Sequence, residues 1–140
     1  MLTWEQWREK SRSSLEAAQI LLDRDKPVEA ASRSYYAAYQ MITTALLKLN
    51  LSARNSYGNW SHHETVEMYH THICRKADLG FKEREALKSL RLKLRGLLET
   101  RYVADDGDPA AVVVSVAQGH WRDANRLVSL LNSLVNRGLL

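Results

Sequence analysis

The run Ser32-Arg33-Ser34-Tyr35-Tyr36-Ala37-Ala38-Tyr39 constrains this chain most, because three tyrosines and interleaved small residues fall inside a long helical pattern. At about 100° per residue, Val28, Ala31, Tyr35, Tyr39, Ile42, Ala45, Leu46 and Leu49 share one broad side of a helix, while Arg33 and Gln40 point away from it. Alanines let helix axes approach. Tyrosines fill the wider gaps and carry hydroxyls that need partners once buried. Such a segment packs against several neighbours, and its tyrosines are candidates to line a ligand cleft.

A chain of 140 residues can close one substantial core, so one helical domain over 1–140 is expected. Apolar runs such as Ala110-Ala111-Val112-Val113-Val114 are too short to cross a bilayer. The opening Met1-Leu2-Thr3-Trp4-Glu5 lacks the basic and apolar regions of a secretory signal. A cytoplasmic protein without membrane contact is therefore expected. Cys74 is the only cysteine, which excludes an internal disulfide and reads first as packing.

The net charge of +4 is unevenly placed. Between residues 82 and 101 seven basic residues face three acidic ones, so the rest of the chain sums to zero. On a helix, Arg84, Lys88, Arg91 and Arg95 form a stripe beside an apolar seam of Leu87, Leu90, Leu94, Leu97 and Leu98. That stripe can face solvent, an acidic partner, or the phosphates of RNA or a nucleotide. Trp60 is a candidate to stack on a base, or else bundle-edge packing like Trp121.

Periodicity and punctuation predict five helical segments. The first covers about 3–23, with Thr3 and Gln6 as a capping box and a seam of Trp4, Trp7, Leu15, Ala18, Ile20, Leu21 and Leu22, interrupted by the polar residues 8–14. Pro27 suits the first turn of the second, which reaches about residue 50. A loop follows, where Ser52, Asn55, Ser56, Gly58 and Asn59 compete with helix. Ser61 and Glu64 make the capping box of a third helix to about residue 77. The fourth spans about 82–102 and is expected to end in the turn Ala104-Asp105-Asp106-Gly107-Asp108-Pro109. Ser115 with Gln118 resembles another capping box, opening a fifth helix to about residue 136 with a seam including Val116, Ala124, Leu127, Leu131, Leu134 and Val135. The fold class implied is all-α, an up-and-down bundle of four to five helices.

Chemistry concentrates around the third helix. His62, His63, His70 and Cys74 lie within or beside its inward arc, which permits a zinc-stabilised structural protein, although the spacing supplies only part of a ligand shell and no cofactor is expected. Metal-independent RNA cleavage needs proton exchange and a fixed positive charge beside the phosphate. Arg54, with His62 or His63, could supply both if a symmetric homodimer placed two sets across one cleft. Arg101 projects toward the leucine seam, where its guanidinium needs a partner. Asp105, one turn on, makes the pair a structural clamp.

With these residues in place, the chain resembles a HEPN domain, the small helical superfamily named for higher eukaryotes and prokaryotes nucleotide-binding. It is most similar to the stand-alone prokaryotic branch related to the UPF0332 proteins. Arg33, Tyr35, Tyr36, Ala37 and Ala38 match that branch's Arg-x-Tyr-Tyr-Ala-Ala-Phe helix, with Tyr39 in place of phenylalanine. Ser61-His62 stands for its Thr-His, and Arg101, Ala104 and Asp105 match its Arg-x-x-Ala-Asp element. The resemblance implies a HEPN-like bundle, often a homodimer, and a toxin-antitoxin or defence setting with a minimal nucleotidyltransferase as partner. In the catalytic branch an arginine and a histidine form the ribonuclease box. Here Arg54 is followed by a polar Asn55, but seven residues separate it from His62, a wider gap than that box carries. The leading expectation is thus a noncatalytic interaction module associated with RNA or nucleotide. Alternatives are a homodimeric metal-independent endoribonuclease and a zinc-stabilised helical protein.

Overall fold

The computed structural model describes residues 1–53, 58–76 and 78–140. Among them five α-helices form an all-α bundle with no strand: α1 (Trp4–Asp23), α2 (Pro27–Lys48), α3 (His62–Met68), α4 (Phe81–Asp106) and α5 (Val114–Asn136). A π-helical turn, Tyr69–Cys74, continues α3, and a single 3₁₀ turn, Pro109–Ala111, precedes α5. No helix among the described residues is long and apolar enough to cross a membrane.

Helix α2 is the axis of the bundle, packing against α1, α4 and α5. Every side chain from Ala37 to Leu46 is buried, so the expected one-sided face is in fact a helix enclosed nearly all round. Gln40, expected to point outward, is buried and lies between α1 and α2. With its amide nitrogen turned inward it donates to the carbonyls of Lys10 (3.0 Å) and Tyr36 (3.1 Å), which removes the cost of enclosing it.

The seam of α1 also differs from expectation. Its buried positions are Trp7, Ser11, Ser14 and Ala18, while Ile20 is exposed. The polar stretch thus carries the seam, at helical spacing, because serine is small enough to let α2 approach. Ser11 Oγ donates to the Ala37 carbonyl at 2.7 Å.

Both capping boxes at Thr3 and Ser61 form. The one expected at Ser115 does not. Helix α5 begins at Val114 with Val113 at the cap and no side-chain cap bond. Val116 is exposed, and Ala117 takes the inward position in a small satellite cluster with Ala31 and Val112. Helix α4 buries the expected Leu87, Leu90, Leu94, Leu97 and Leu98, but it runs through Asp105 and Asp106 instead of stopping at 102. An Arg101–Asp105 pair one turn apart supports that last turn. Together these seams close the main core, which includes Tyr35, Tyr39, Leu94 and Leu131.

Candidate functional site

One corner of the bundle gathers Tyr35, Tyr36 and Tyr39 from α2, Asn59 and Trp60 from the segment before α3, His62 at its first position, and Arg101 and Asp105 from the last turns of α4. The tyrosines converge because positions i, i+1 and i+4 of a helix share one broad face. Tyr35 and Tyr39 stack at 6.1 Å between centroids, and Tyr36 meets each edge-on. The His62 ring lies 4.9 Å from Tyr39, 5.3 Å from Tyr35 and 5.8 Å from Tyr36.

The tyrosine hydroxyls here all have internal partners. Tyr39 Oη donates to the Trp60 carbonyl at 2.7 Å and accepts from Asn59 Nδ2 at 2.8 Å. Tyr35 Oη and His62 Nδ1 are 2.7 Å apart. Tyr35 is 1% exposed, and Nδ1 is the hydrogen-bond partner its hydroxyl has among the described residues. The hydroxyl must therefore donate to Nδ1, which places the neutral ring's proton on Nε2. Burial, and then the charge of Arg101, hold the His62 pKa below its ordinary value, partly countered by Asp105. Burial likewise pushes the Tyr35 hydroxyl far above the usual tyrosine range.

Arg101 closes the corner from α4. Its Nε donates to Asp105 Oδ2 at 3.1 Å and its Nη2 to Tyr36 Oη at 3.3 Å. Its guanidinium lies 5.6 Å from the Tyr36 ring centre and 4.9 Å from that of Tyr102. Arg33, expected to face solvent, lies over the same Tyr36 ring at 5.2 Å. Two cations therefore flank one aromatic ring, an arrangement favoured by the ring quadrupole. The need of Arg101 for a partner was readable from the sequence. Its contact with Tyr36, 65 positions earlier, arises only from the packing of α2 on α4.

The remaining expected site residues are dispersed. Arg54 lies outside the described residues, so its placement relative to His62 is not part of this geometry. His63, next along the chain, is exposed. Trp60 is 6% exposed and packed into the core, so its indole face is not offered to a base. Arg84 donates to the carbonyls of Lys76 (3.2 Å) and Leu79 (3.3 Å), tying the end of the π turn to α4. Lys88, Arg91 and Arg95 line a separate cleft with His70 and Leu92.

Cys74 is buried, and burial raises its thiol pKa. Among the described residues no group of three or more His, Cys, Asp or Glu side chains is placed to hold a metal ion.

These features define an all-α bundle with a tyrosine, histidine and arginine corner at one end. The chain is similar to the UPF0332 protein glr0978 of Gloeobacter violaceus, with 32% identity over 89 residues. The match covers 63% of this chain and 66% of that protein, just under two thirds of its length, which makes this a weak homology to a UPF0332-family protein. No protein-family model matches the chain.

Proposed function

We propose that this protein is a noncatalytic HEPN-like interaction module of a toxin-antitoxin or defence system. It would act as a homodimer, beside a partner such as a minimal nucleotidyltransferase and in contact with RNA or nucleotide. The observation that carries the reading is the state of His62. Its Nδ1 lies 2.7 Å from the enclosed Tyr35 hydroxyl, and with that hydroxyl donating and the ring proton on Nε2 neither nitrogen keeps a free lone pair to remove a proton from a 2′-hydroxyl. Arg101, whose charge acts on that ring, is engaged with Asp105 and Tyr36 and acts as a clamp. The homology to a UPF0332-family protein supports the HEPN-like assignment, together with the resemblance of Arg33, Tyr35, Tyr36, Ala37 and Ala38 to the helix of that branch.

The test is incubation of the purified protein with a mixed RNA pool in chelator, alongside Arg54→Ala, His62→Ala and His63→Ala variants. The reading expects no cleavage above background from any of them. Cleavage by the wild type that is lost on Arg54→Ala and on either histidine substitution would replace it with the metal-independent endoribonuclease.

A further inference from the structure

We infer that the cleft between the π turn and α4 binds the phosphate backbone of a single-stranded nucleic acid. It has a volume of about 490 Å³ and is lined by His70, Lys88, Arg91, Leu92 and Arg95. The inference gives the nucleic-acid contact of the proposed function a location, away from the His62 corner.

Charge is the first reason. Lys88 has Glu85 at 3.8 Å, but no carboxylate among the described residues pairs with Arg91 or Arg95. Arg91 and Arg95 are instead one turn from each other, a like-charge spacing that works against the helix by about 0.2–0.5 kcal/mol. The three cations are separated by about 4.5 and 6 Å along the axis, a row suited to a ligand whose negative charge repeats regularly.

His70 supplies the second reason. Its Nδ1 is enclosed and has no hydrogen-bond partner. An N–H orphaned there would cost about 1–3 kcal/mol, which favours the tautomer with its N–H at Nε2, the ring nitrogen that is not enclosed. The cleft thereby gains a hydrogen-bond donor beside three cations. The π turn that positions this ring departs from the α-helical repeat, a distortion frequent at binding sites.

Third, the stripe carries exposed apolar surface. Leu92 is 75% exposed beside Lys88 and Arg95, and Phe81 is 82% exposed on the same face nearer the start of α4. An uncovered ring two turns ahead of Lys88, in line with the basic row, suits stacking on an unpaired base, which a duplex keeps inside its own stack.

The test is fluorescence anisotropy with a labelled mixed-sequence RNA single strand, the matching DNA single strand and the DNA duplex, each titrated across a range of salt. Arg91→Ala/Arg95→Ala is compared with the charge-matched Arg12→Ala/Arg24→Ala on α1 and its cap, and with Phe81→Ala, after all variants are shown to melt like the wild type. The first variant should weaken single-strand binding about tenfold or more and lower the salt slope by about 1.4, two cations at about 0.7 each. Phe81→Ala should weaken it about fivefold or more. The α1 variant should stay within about twofold of wild type. Equal losses from both charge-removing variants, a preference for the duplex, or no single-strand binding by the wild type would overturn the inference. Those results would leave the noncatalytic reading standing, whereas His62-dependent RNA cleavage would remove that reading and leave the cleft untouched.

Discussion

Tyr35 Oη and His62 Nδ1 lie 2.7 Å apart and join the middle of α2 to the first residue of α3. Replacing Tyr35 with Phe keeps the ring stack and removes only the hydroxyl, leaving Nδ1 with no partner. The expected loss is about 1–2 kcal/mol in urea unfolding. A double-mutant cycle with His62→Ala should return a coupling of about 1 kcal/mol. Additive losses would mean the contact does not operate in solution.

Acid should destabilise the fold in a window set by two histidines. Burial, chiefly, lowers the pKa values of His62 and His120 from the ordinary 6.5. His120 Nε2 is 2.8 Å from Thr100 Oγ1 and its Nδ1 is enclosed without a partner. The full contribution of both rings is present above pH 6.5. As pH falls below 6.5 the unfolded chain takes up protons that the folded chain refuses, and stability declines until the folded-state values are passed. The carboxylates held low, Asp78 by its bond to Lys76 and Glu83 by its own backbone N–H and then Arg137, lose their contribution at lower pH still. Melting temperatures should therefore fall between pH 7 and pH 5, and less so in a His62→Gln/His120→Gln variant. An unchanged slope in that variant would assign the decline to other groups.

Arg101 and Asp105 should differ in cost although they form one pair. The Arg101 side chain is 14% exposed and also serves Tyr36, whereas that of Asp105 is 33% exposed. Arg101→Ala should cost about 1–3 kcal/mol, because the Tyr36 hydroxyl and the ring faces lose their partner. Asp105→Asn should cost about 1 kcal/mol or less. Arg101→Lys should fall between them, since a single ammonium cannot reproduce the planar fork. Equal losses for Arg101→Ala and Asp105→Asn would reduce the corner to a simple surface ion pair.

Ser11 tests the close approach of α1 and α2. It is fully buried and bonded to the Ala37 carbonyl. Ser11→Ala should cost about 1 kcal/mol from the lost hydrogen bond. Ser11→Leu, which adds volume where the helices meet, should cost more, with overpacking alone worth about 1–3 kcal/mol. A stable Leu variant would show that the two helices can separate freely at this point.

The helices that were legible in the sequence have long apolar seams or a strong cap, as with the α4 leucines and the Ser61 box. Where reading failed, small or polar residues did apolar work. Ser11 and Ser14 sit in the α1 seam because helix proximity rewards small volume more than hydrophobicity, and Gln40 is buried because three polar neighbours satisfy it. The acidic turn expected after residue 102 remained helical because Arg101 reaches Asp105 from one turn earlier. Ser115 does not cap α5, which starts one residue before it, at Val114.

At the site, the need of Arg101 for a partner and the inward setting of His62 could be read from helical spacing. The identity of the partners could not, because Tyr36 and Tyr35 reach them across elements distant in sequence. The same holds for the basic cleft. Its cations were visible as a stripe, while His70 joined them through a π turn that no sequence signal announced, and Trp60 left the candidate set by being buried in the core.

The state of His62 tests the central claim most directly. Nitrogen-15 NMR across a pH titration should find a neutral ring protonated at Nε2, with a midpoint below 6.5 that rises in Tyr35→Phe. A midpoint at or above 6.5, or a ring protonated at Nδ1, would contradict the hydrogen bond donated by Tyr35 and return His62 to the role of proton carrier.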